Sequence, residues 1–141
     1  MYILDTDHMS LLERADSLAG QRIRRRLNKL LSDEAVTTII SFEEQMRGWT
    51  SLLAKAQSLS LQVEAYHRLK QSLGRYCETQ VLNFDEQAAA EFQRLQKSRI
   101  RIGTMDLKIA AIALAQGATL LSRNLTDFRK VPGLQVEDWA A

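Results

Sequence analysis

Short apolar segments rich in β-forming residues alternate with longer segments of helical periodicity along almost the whole chain. The five short segments are Tyr2–Leu4, Val36–Ile40, Val81–Phe84, Thr119–Leu121 and, more weakly, Leu134–Val136. Strands that alternate with helices indicate a parallel sheet whose connecting helices cover both faces. The alternation therefore predicts an α/β fold, a three-layer α/β/α sandwich around a mainly parallel five-stranded sheet.

The segments between the predicted strands place apolar residues at helical spacing. Predicted helices cover residues 21–31, 42–56, 61–79 and 86–97. A further alanine-rich helix follows Gly103, with Thr104 as its predicted N-cap and Gly117 as its stop signal.

Length and composition are those of an ordinary globular domain. The 141 residues are predicted to form one domain, residues 1–141, which is long enough to bury a core without cross-links. The single cysteine, Cys77, is predicted to be a buried small side chain and indicates a reducing compartment. Asp5 comes too early for a secretory signal, and no apolar run approaches the roughly 20 residues that cross a membrane. We therefore expect a cytoplasmic protein with no membrane association.

Acidic residues recur at positions that a parallel sheet brings to one edge. Asp5 ends the first strand, Glu43 and Glu44 follow the second, Asp106 lies in the first turn of the alanine-rich helix, and Asp127 follows the fourth strand. Open parallel sheets bind ligands outside the carboxyl ends of their strands. Carboxylates gathered there would repel each other, and a divalent cation would remove that conflict. Carboxylate oxygens with few histidines suit Mg²⁺ or Mn²⁺ better than zinc.

Each of these acids also has a structural explanation. Asp5 can cap the helix that follows it, and Ser41 with Glu44 fits a capping box. Asp106 can complement a helix dipole, and Asp127 can be an ordinary turn residue. Four acids at corresponding ends of different strand–helix units are harder to explain in this way than any one of them alone.

Three stretches of the chain resemble the PIN-domain family, and within it the VapC-type toxins of bacterial toxin–antitoxin pairs. They read ILDTD, ISFEEQMRG and IGTMDLKIAAIALAQGATLLSRNLTDFRKVPGLQVEDW. The resemblance runs from residue 2 to residue 139, and the last stretch is its most specific part. It implies an Mg²⁺-dependent endoribonuclease, with Mn²⁺ as a substitute ion, that hydrolyses phosphodiester bonds in tRNA or rRNA to inhibit translation. It also implies a homodimer and a cognate antitoxin that inserts a segment near the acidic pocket.

The resemblance assigns roles to individual acids. It implies that Asp5 and Asp106 are the main Mg²⁺ ligands and that Asp127 is the fourth acid. The family spacing to the following glycine selects Glu44 over Glu43. Helical geometry does not decide between these two glutamates, which point about 100° apart.

Polar and basic residues near the acids are candidate contacts to RNA. The resemblance places Asn124 beside the fourth acid as a polar contact. Arg99, Arg101 and Arg123 are candidates to hold the RNA backbone, because phosphate contacts from arginine and lysine supply most of the affinity. The net charge of +2, from 19 basic and 17 acidic residues, argues neither for nor against nucleic acid. The basic run over residues 22–29 is predicted to be a solvated helix face.

One residue of the first motif departs from the family pattern. The third residue of the opening triplet is usually asparagine, and here it is Asp7, which either adds a ligand or caps the following helix. Of the two histidines, His67 is predicted on a helix surface. His8 is close enough to Asp5 to touch substrate, but a packing role at the start of the first helix is favoured.

Two other functions compete with the ribonuclease. In a phosphatase of the haloacid-dehalogenase type, Asp5 would be the nucleophile and Asp7 the general acid/base, but the lysine that such enzymes need after a later strand has no clear equivalent. In a non-catalytic PIN-like binding module, the acidic pocket would only receive an arginine from a partner. The presence of all four acidic positions favours the enzyme.

Overall fold

The computed structural model describes residues 1–14 and 16–141. Within these ranges the chain forms five strands and seven helices. In chain order they are β1 (Tyr2–Leu4), α1 (Thr6–Glu13), α2 (Leu18–Leu27), β2 (Ala35–Thr38), α3 (Ile39–Lys55), α4 (Leu59–Glu78), β3 (Gln80–Leu82), α5 (Glu86–Lys97), α6 (Thr104–Gln116), β4 (Thr119–Leu121), α7 (Leu125–Phe128) and β5 (Gln135–Glu137).

The five strands form one sheet in which every neighbouring pair is parallel, with the order β3-β2-β1-β4-β5. The central strand β1 pairs on both sides, so that Tyr2 is level with Ala35 of β2 and with Thr119 of β4. This arrangement confirms the predicted α/β class. It also brings the carboxyl ends of β1, β2 and β4 to the same edge of the sheet.

Helices pack on both faces of the sheet, as the strand–helix alternation predicts. Successive strand residues point to opposite faces. Ile3 and Leu120 belong to a core shared with α5 and α6, whereas Leu4 and Leu121 belong to a second core shared with α1 and α2. The two cores make the molecule a three-layer sandwich. No helix among the described residues is both long and apolar enough to cross a membrane.

The capping predictions were wrong at two helices. The strand predicted over Val36–Ile40 ends at Thr38, which is also the N-cap of α3, and the Thr38 hydroxyl accepts a hydrogen bond from the Ser41 amide at 3.1 Å. The predicted capping box of Ser41 and Glu44 therefore lies inside the helix. Gly103 is the N-cap of α6 and supplies no side-chain cap, so that Thr104 is the first helical residue.

Other local predictions had mixed outcomes. The predicted stop at Gly117 is confirmed, because this residue is the left-handed C-cap of α6 with φ of 60°. The helix predicted over residues 21–31 starts earlier and ends at Leu27, which leaves Leu31 outside it and 72% exposed. Cys77 is exposed rather than buried, because it follows buried Tyr76 and points about 100° away from it around α4.

Candidate active site at the carboxyl edge of the sheet

Asp5 is the buried acid of the candidate site. It directly follows β1, and its backbone amide continues the sheet by donating to the Leu121 carbonyl at 3.1 Å. Its side chain caps α1, because Oδ1 accepts a hydrogen bond from the His8 amide at 2.8 Å. The carboxyl group is thus fixed where the central strand turns into the first helix, although only 7% of the residue is exposed.

The structure separates the two adjacent glutamates of α3. Glu44 is half-buried, and its Oε1 accepts a hydrogen bond from the Thr6 hydroxyl at 2.6 Å. Glu43 is exposed and forms an ion pair with Arg47 one turn further along the same helix. Glu44, and not Glu43, therefore lies beside the β1–α1 junction where Asp5 is found.

Asn124 joins the other two acids. Asp106 lies in the first turn of α6, and its Oδ2 is 3.5 Å from Asn124 Nδ2. The same amide nitrogen donates to Asp127 Oδ2 at 3.0 Å. Asp127 also accepts a hydrogen bond from Lys130 at 3.2 Å, and these two donors hold the pKa of its carboxyl below the ordinary value. The short segment after β4 thus carries the partner of the α6 acid.

Asp106 is influenced electrostatically by the other three acids. Burial, which is the largest cause, and the negative charges of Glu44, Asp5 and Asp127 together raise the pKa of Asp106 to about 6, while the hydrogen bond from Asn124 opposes the shift. A carboxyl group whose pKa is raised by neighbouring negative charges lies close enough to those charges to be repelled by them. The acids predicted to gather at this edge of the sheet are brought together there.

The donor set fits a hard divalent cation. Mg²⁺ and Mn²⁺ prefer carboxylate oxygens, and a cation would relieve the repulsion that raises the pKa of Asp106. In residues 1–14 and 16–141, no three side chains of the Asp, Glu, His or Cys type already converge as a ligand group. Glu44 and Asp127 are instead held by Thr6, Asn124 and Lys130. Metal binding at this site would therefore exchange side-chain hydrogen bonds for metal contacts.

The candidate RNA contacts differ in their partners. Arg123 forms a two-bond ion pair with Asp7, with nitrogen–oxygen distances of 2.6 and 3.0 Å, and both side chains are about half exposed. Asp5 caps α1, so Asp7 serves as the partner of Arg123 rather than as the cap. Arg99 and Arg101 are exposed, and the Arg101 carbonyl accepts from Lys130, the lysine that also contacts Asp127.

Sequence reasoning missed Thr6 and Lys130, and it favoured a packing role for His8 over contact with substrate. The signal for Thr6 was its place between Asp5 and Asp7 in the opening motif. Lys130 had a signal in its spacing of three residues from Asp127, which suits an ion pair on one helical turn.

The basic run over residues 22–29 is more than a solvated helix face. Arg24 donates to the Leu12 carbonyl, and the guanidinium of Arg26 lies 4.5 Å from the centre of the Trp139 ring. These arginines hold α2 against α1 and the segment after β5.

Comparison with known proteins gives one family and a consistent group of relatives. The family model described as "PIN domain" matches residues 2–134. The tRNA(fMet)-specific endonuclease VapC of Salmonella typhimurium is 28% identical over 123 residues, which cover 84% of this chain and 85% of that protein. Ribonuclease VapC1 of Haemophilus influenzae is 26% identical over 144 aligned positions, which cover 99% of this chain and 98% of that protein.

A solved structure shows the same fold. The crystal structure of DNA-bound VapBC from Salmonella typhimurium contains a chain that superposes with a TM-score of 0.75 at 25% identity. The superposition covers 98% of this chain and 97% of that one. The likeness extends over the helices on both faces of the sheet as well as over the sheet itself.

Proposed function

Because the chain belongs to the PIN-domain family, we propose that it is a divalent-metal-dependent endoribonuclease of the VapC type. The observation that carries the proposal is the cluster of Asp5, Glu44, Asp106 and Asp127, in which burial and the charges of its acidic neighbours raise the pKa of Asp106. The names of relatives that span most of the chain, an endonuclease and a ribonuclease, support the proposed substrate class.

The proposed reaction is hydrolysis of an RNA phosphodiester, in which a P–O bond to water forms and the bond to one ribose oxygen breaks. Asp5 and Asp106 would hold Mg²⁺, or Mn²⁺ in its place, and Glu44 and Asp127 would complete the acidic ring. When bound, the cation supplies Lewis acidity and offsets the negative charge of the reacting phosphate.

This chain's own residues orient that ring and the substrate. Asn124 fixes the relative positions of the Asp106 and Asp127 carboxylates through hydrogen bonds to both of them. Arg99, Arg101 and Arg123 would contact the RNA backbone, because guanidinium groups match phosphate oxygens in geometry and charge. Basic residues around the site would attract the phosphates that the acidic cluster alone would repel.

We further propose that a cognate VapB-like antitoxin inhibits the enzyme, that the enzyme is a homodimer, and that its target is tRNA or rRNA, so that cleavage inhibits translation. Several proteins with this fold were solved as VapBC complexes, which supports the antitoxin proposal. The tRNA-specific name of one relative supports the proposed target class.

The test compares the wild type with Asp5→Ala and Asp106→Ala on total cellular RNA. Each protein is incubated with Mg²⁺ or with excess EDTA, and new 5′ ends are mapped. Asp33→Ala is a matched control, because Asp33 is an exposed aspartate that precedes β2 and so lies toward the opposite edge of the sheet.

We expect discrete cuts from the wild type and from Asp33→Ala in Mg²⁺, and none in EDTA or from the two site variants. Absence of cuts from folded, antitoxin-free wild type would favour a binding module over an enzyme. Cuts that survive both site substitutions would contradict the assigned site.

A further inference from the structure

His8 is fully buried directly behind the candidate active site, and its two ring nitrogens face different partners. Nε2 accepts a hydrogen bond from the backbone amide of Trp139 at 3.3 Å. Nδ1 lies 3.4 Å from Asp5 Oδ1 and makes no hydrogen bond with any of the described residues. The imidazole thus connects the segment that follows β5 to the acid that follows β1.

The contact with Trp139 determines which nitrogen carries the proton. A backbone amide can only donate, so Nε2 must present its lone pair. The proton of the neutral ring is therefore on Nδ1, where it faces Asp5. A doubly protonated ring would set two donors against each other at Nε2. The nearby Asp138 carboxylate, 3.9 Å from Nε2, is too distant to replace the amide as a hydrogen-bond partner.

We propose that His8 is a positioning residue for Asp5. Its backbone N–H and its Nδ1–H both face Oδ1, and none of the hydrogen bonds among the described residues reaches Oδ2. The protein thereby holds Asp5 Oδ1, and Asp5 Oδ2 is left for a cation. Donors behind a ligating carboxylate commonly fix its orientation and tune its affinity for the metal. The inference rests on the proposed function, because it takes Asp5 as a metal ligand.

Trp139 secures this arrangement from the other side. Its ring packs on Tyr2, with 4.8 Å between ring centres, and lies under the guanidinium of Arg26. The residue is only 3% exposed, so its amide is held firmly against His8 Nε2. The segment after β5 therefore sets the tautomer of a histidine that faces the site.

The tautomer can be measured directly in the metal-free wild type. We expect nitrogen NMR of histidine-labelled protein at neutral pH to show the His8 ring protonated on Nδ1 alone. The exposed His67 provides an internal reference for a solvated ring. A His8 signal from the Nε2-protonated tautomer or from the imidazolium would overturn the proposal.

Two substitutions separate the functions of the two nitrogens. Asparagine can place an amide N–H near the position of Nδ1, whereas glutamine can place a carbonyl oxygen near the position of Nε2. We expect His8→Gln to weaken Mn²⁺ binding, measured by calorimetry, about 10-fold or more, and His8→Asn to stay within about 3-fold of the wild type. Thermal unfolding identifies any general loss of structure, and the NMR measurement on the wild type remains decisive if a variant does not fold.

Asp5→Ala distinguishes failure of this inference from failure of the proposed function. If Asp5→Ala weakens Mn²⁺ binding and His8→Gln does not, the positioning role is wrong and the metal site stands. Equal losses in His8→Gln and folded His8→Asn would also overturn the role, because the restored donor would have no effect. If Asp5→Ala binds Mn²⁺ as the wild type does, both the metal role of Asp5 and the inference built on it fail.

Discussion

At the scale of single residues, each acid of the site is held by a neutral donor. His8 faces Asp5, Thr6 donates to Glu44, and Asn124 joins the remaining two acids. These neutral donors orient the carboxylates without cancelling their charge, and within the described part of the chain only Asp127 also pairs with a cation, Lys130. The repulsion among the acids therefore persists in the metal-free protein, and it shows most clearly in the raised pKa of Asp106.

The adjacent glutamates of α3 give a matched pair for testing the site. Glu44→Gln keeps an oxygen that can accept from Thr6 and removes only the charge. We expect it to lower RNA cleavage about 10- to 100-fold, in line with the loss of a group that tunes a metal site. It should also lower the pKa of Asp106, because the Glu44 charge raises that value. Cleavage rates and an NMR titration of Asp106 measure the two effects.

Glu43→Gln is the control, because it removes the same charge one residue away. Glu43 forms an exposed ion pair with Arg47, and such pairs contribute little to stability. Cleavage within about 2-fold of the wild type is expected, since this charge faces solvent. A larger loss in Glu43→Gln than in Glu44→Gln would reverse the assignment.

At the scale of elements, the sequence predicts where strands and acids fall better than it predicts where helices begin. The positions of Asp5 and Asp106 can be predicted from the sequence, because strand ends and first helical turns have clear residue patterns. The choice between Glu43 and Glu44 required the tertiary contact with Thr6, which no local pattern contains. The start of α3 was misplaced because Ile39 and Ile40 are β-branched and typical of a strand, yet they begin the helix that the Thr38 hydroxyl caps.

The approach of α2 to the end of α1 depends on a glycine that local patterns did not reveal. A Cβ at Gly20 would lie 2.4 Å from the Leu11 carbonyl oxygen and 2.9 Å from that of Arg14. The backbone would have to shift, so we expect Gly20→Ala to lower the free energy of unfolding by about 1–3 kcal/mol. Denaturant unfolding followed by circular dichroism measures the change.

A second helical glycine provides the control for that substitution. Gly74 lies within α4, and a Cβ there would meet nothing within 4 Å. Alanine has the higher helix propensity, so Gly74→Ala is expected to raise the free energy of unfolding by about 0.5–1 kcal/mol. Equal effects of the two substitutions would mean that helix propensity, and not the close contact of α2 with α1, determines the result.

At the scale of the whole molecule, the site joins parts of the chain that are distant in sequence. Asp5 comes from the first strand, Asp106 from a helix of the opposite layer, and His8 reaches the segment after β5. The fold therefore holds together a cluster of like charges that no single element would keep together.

Stability should reflect this cluster through its pH dependence in the metal-free protein. The pKa of Asp106 is about 6 in the fold against an ordinary value of 3.8, so the fold favours the protonated form. The contribution of protonated Asp106 to the free energy of unfolding is fully present below about pH 4 and is lost as pH rises to about 6. Discounted for partial exposure, the loss is on the order of 1–2 kcal/mol. Asp106→Asn should therefore match the wild type near pH 4 and exceed its free energy of unfolding above pH 6 by that amount, measured by urea unfolding across this range.

Asp33→Asn is the control and should show no such change. Saturating Mn²⁺ should stabilise the wild type and remove the difference in free energy of unfolding between it and Asp106→Asn. A difference between Asp106→Asn and the wild type that does not vary with pH would contradict the shared acidic site.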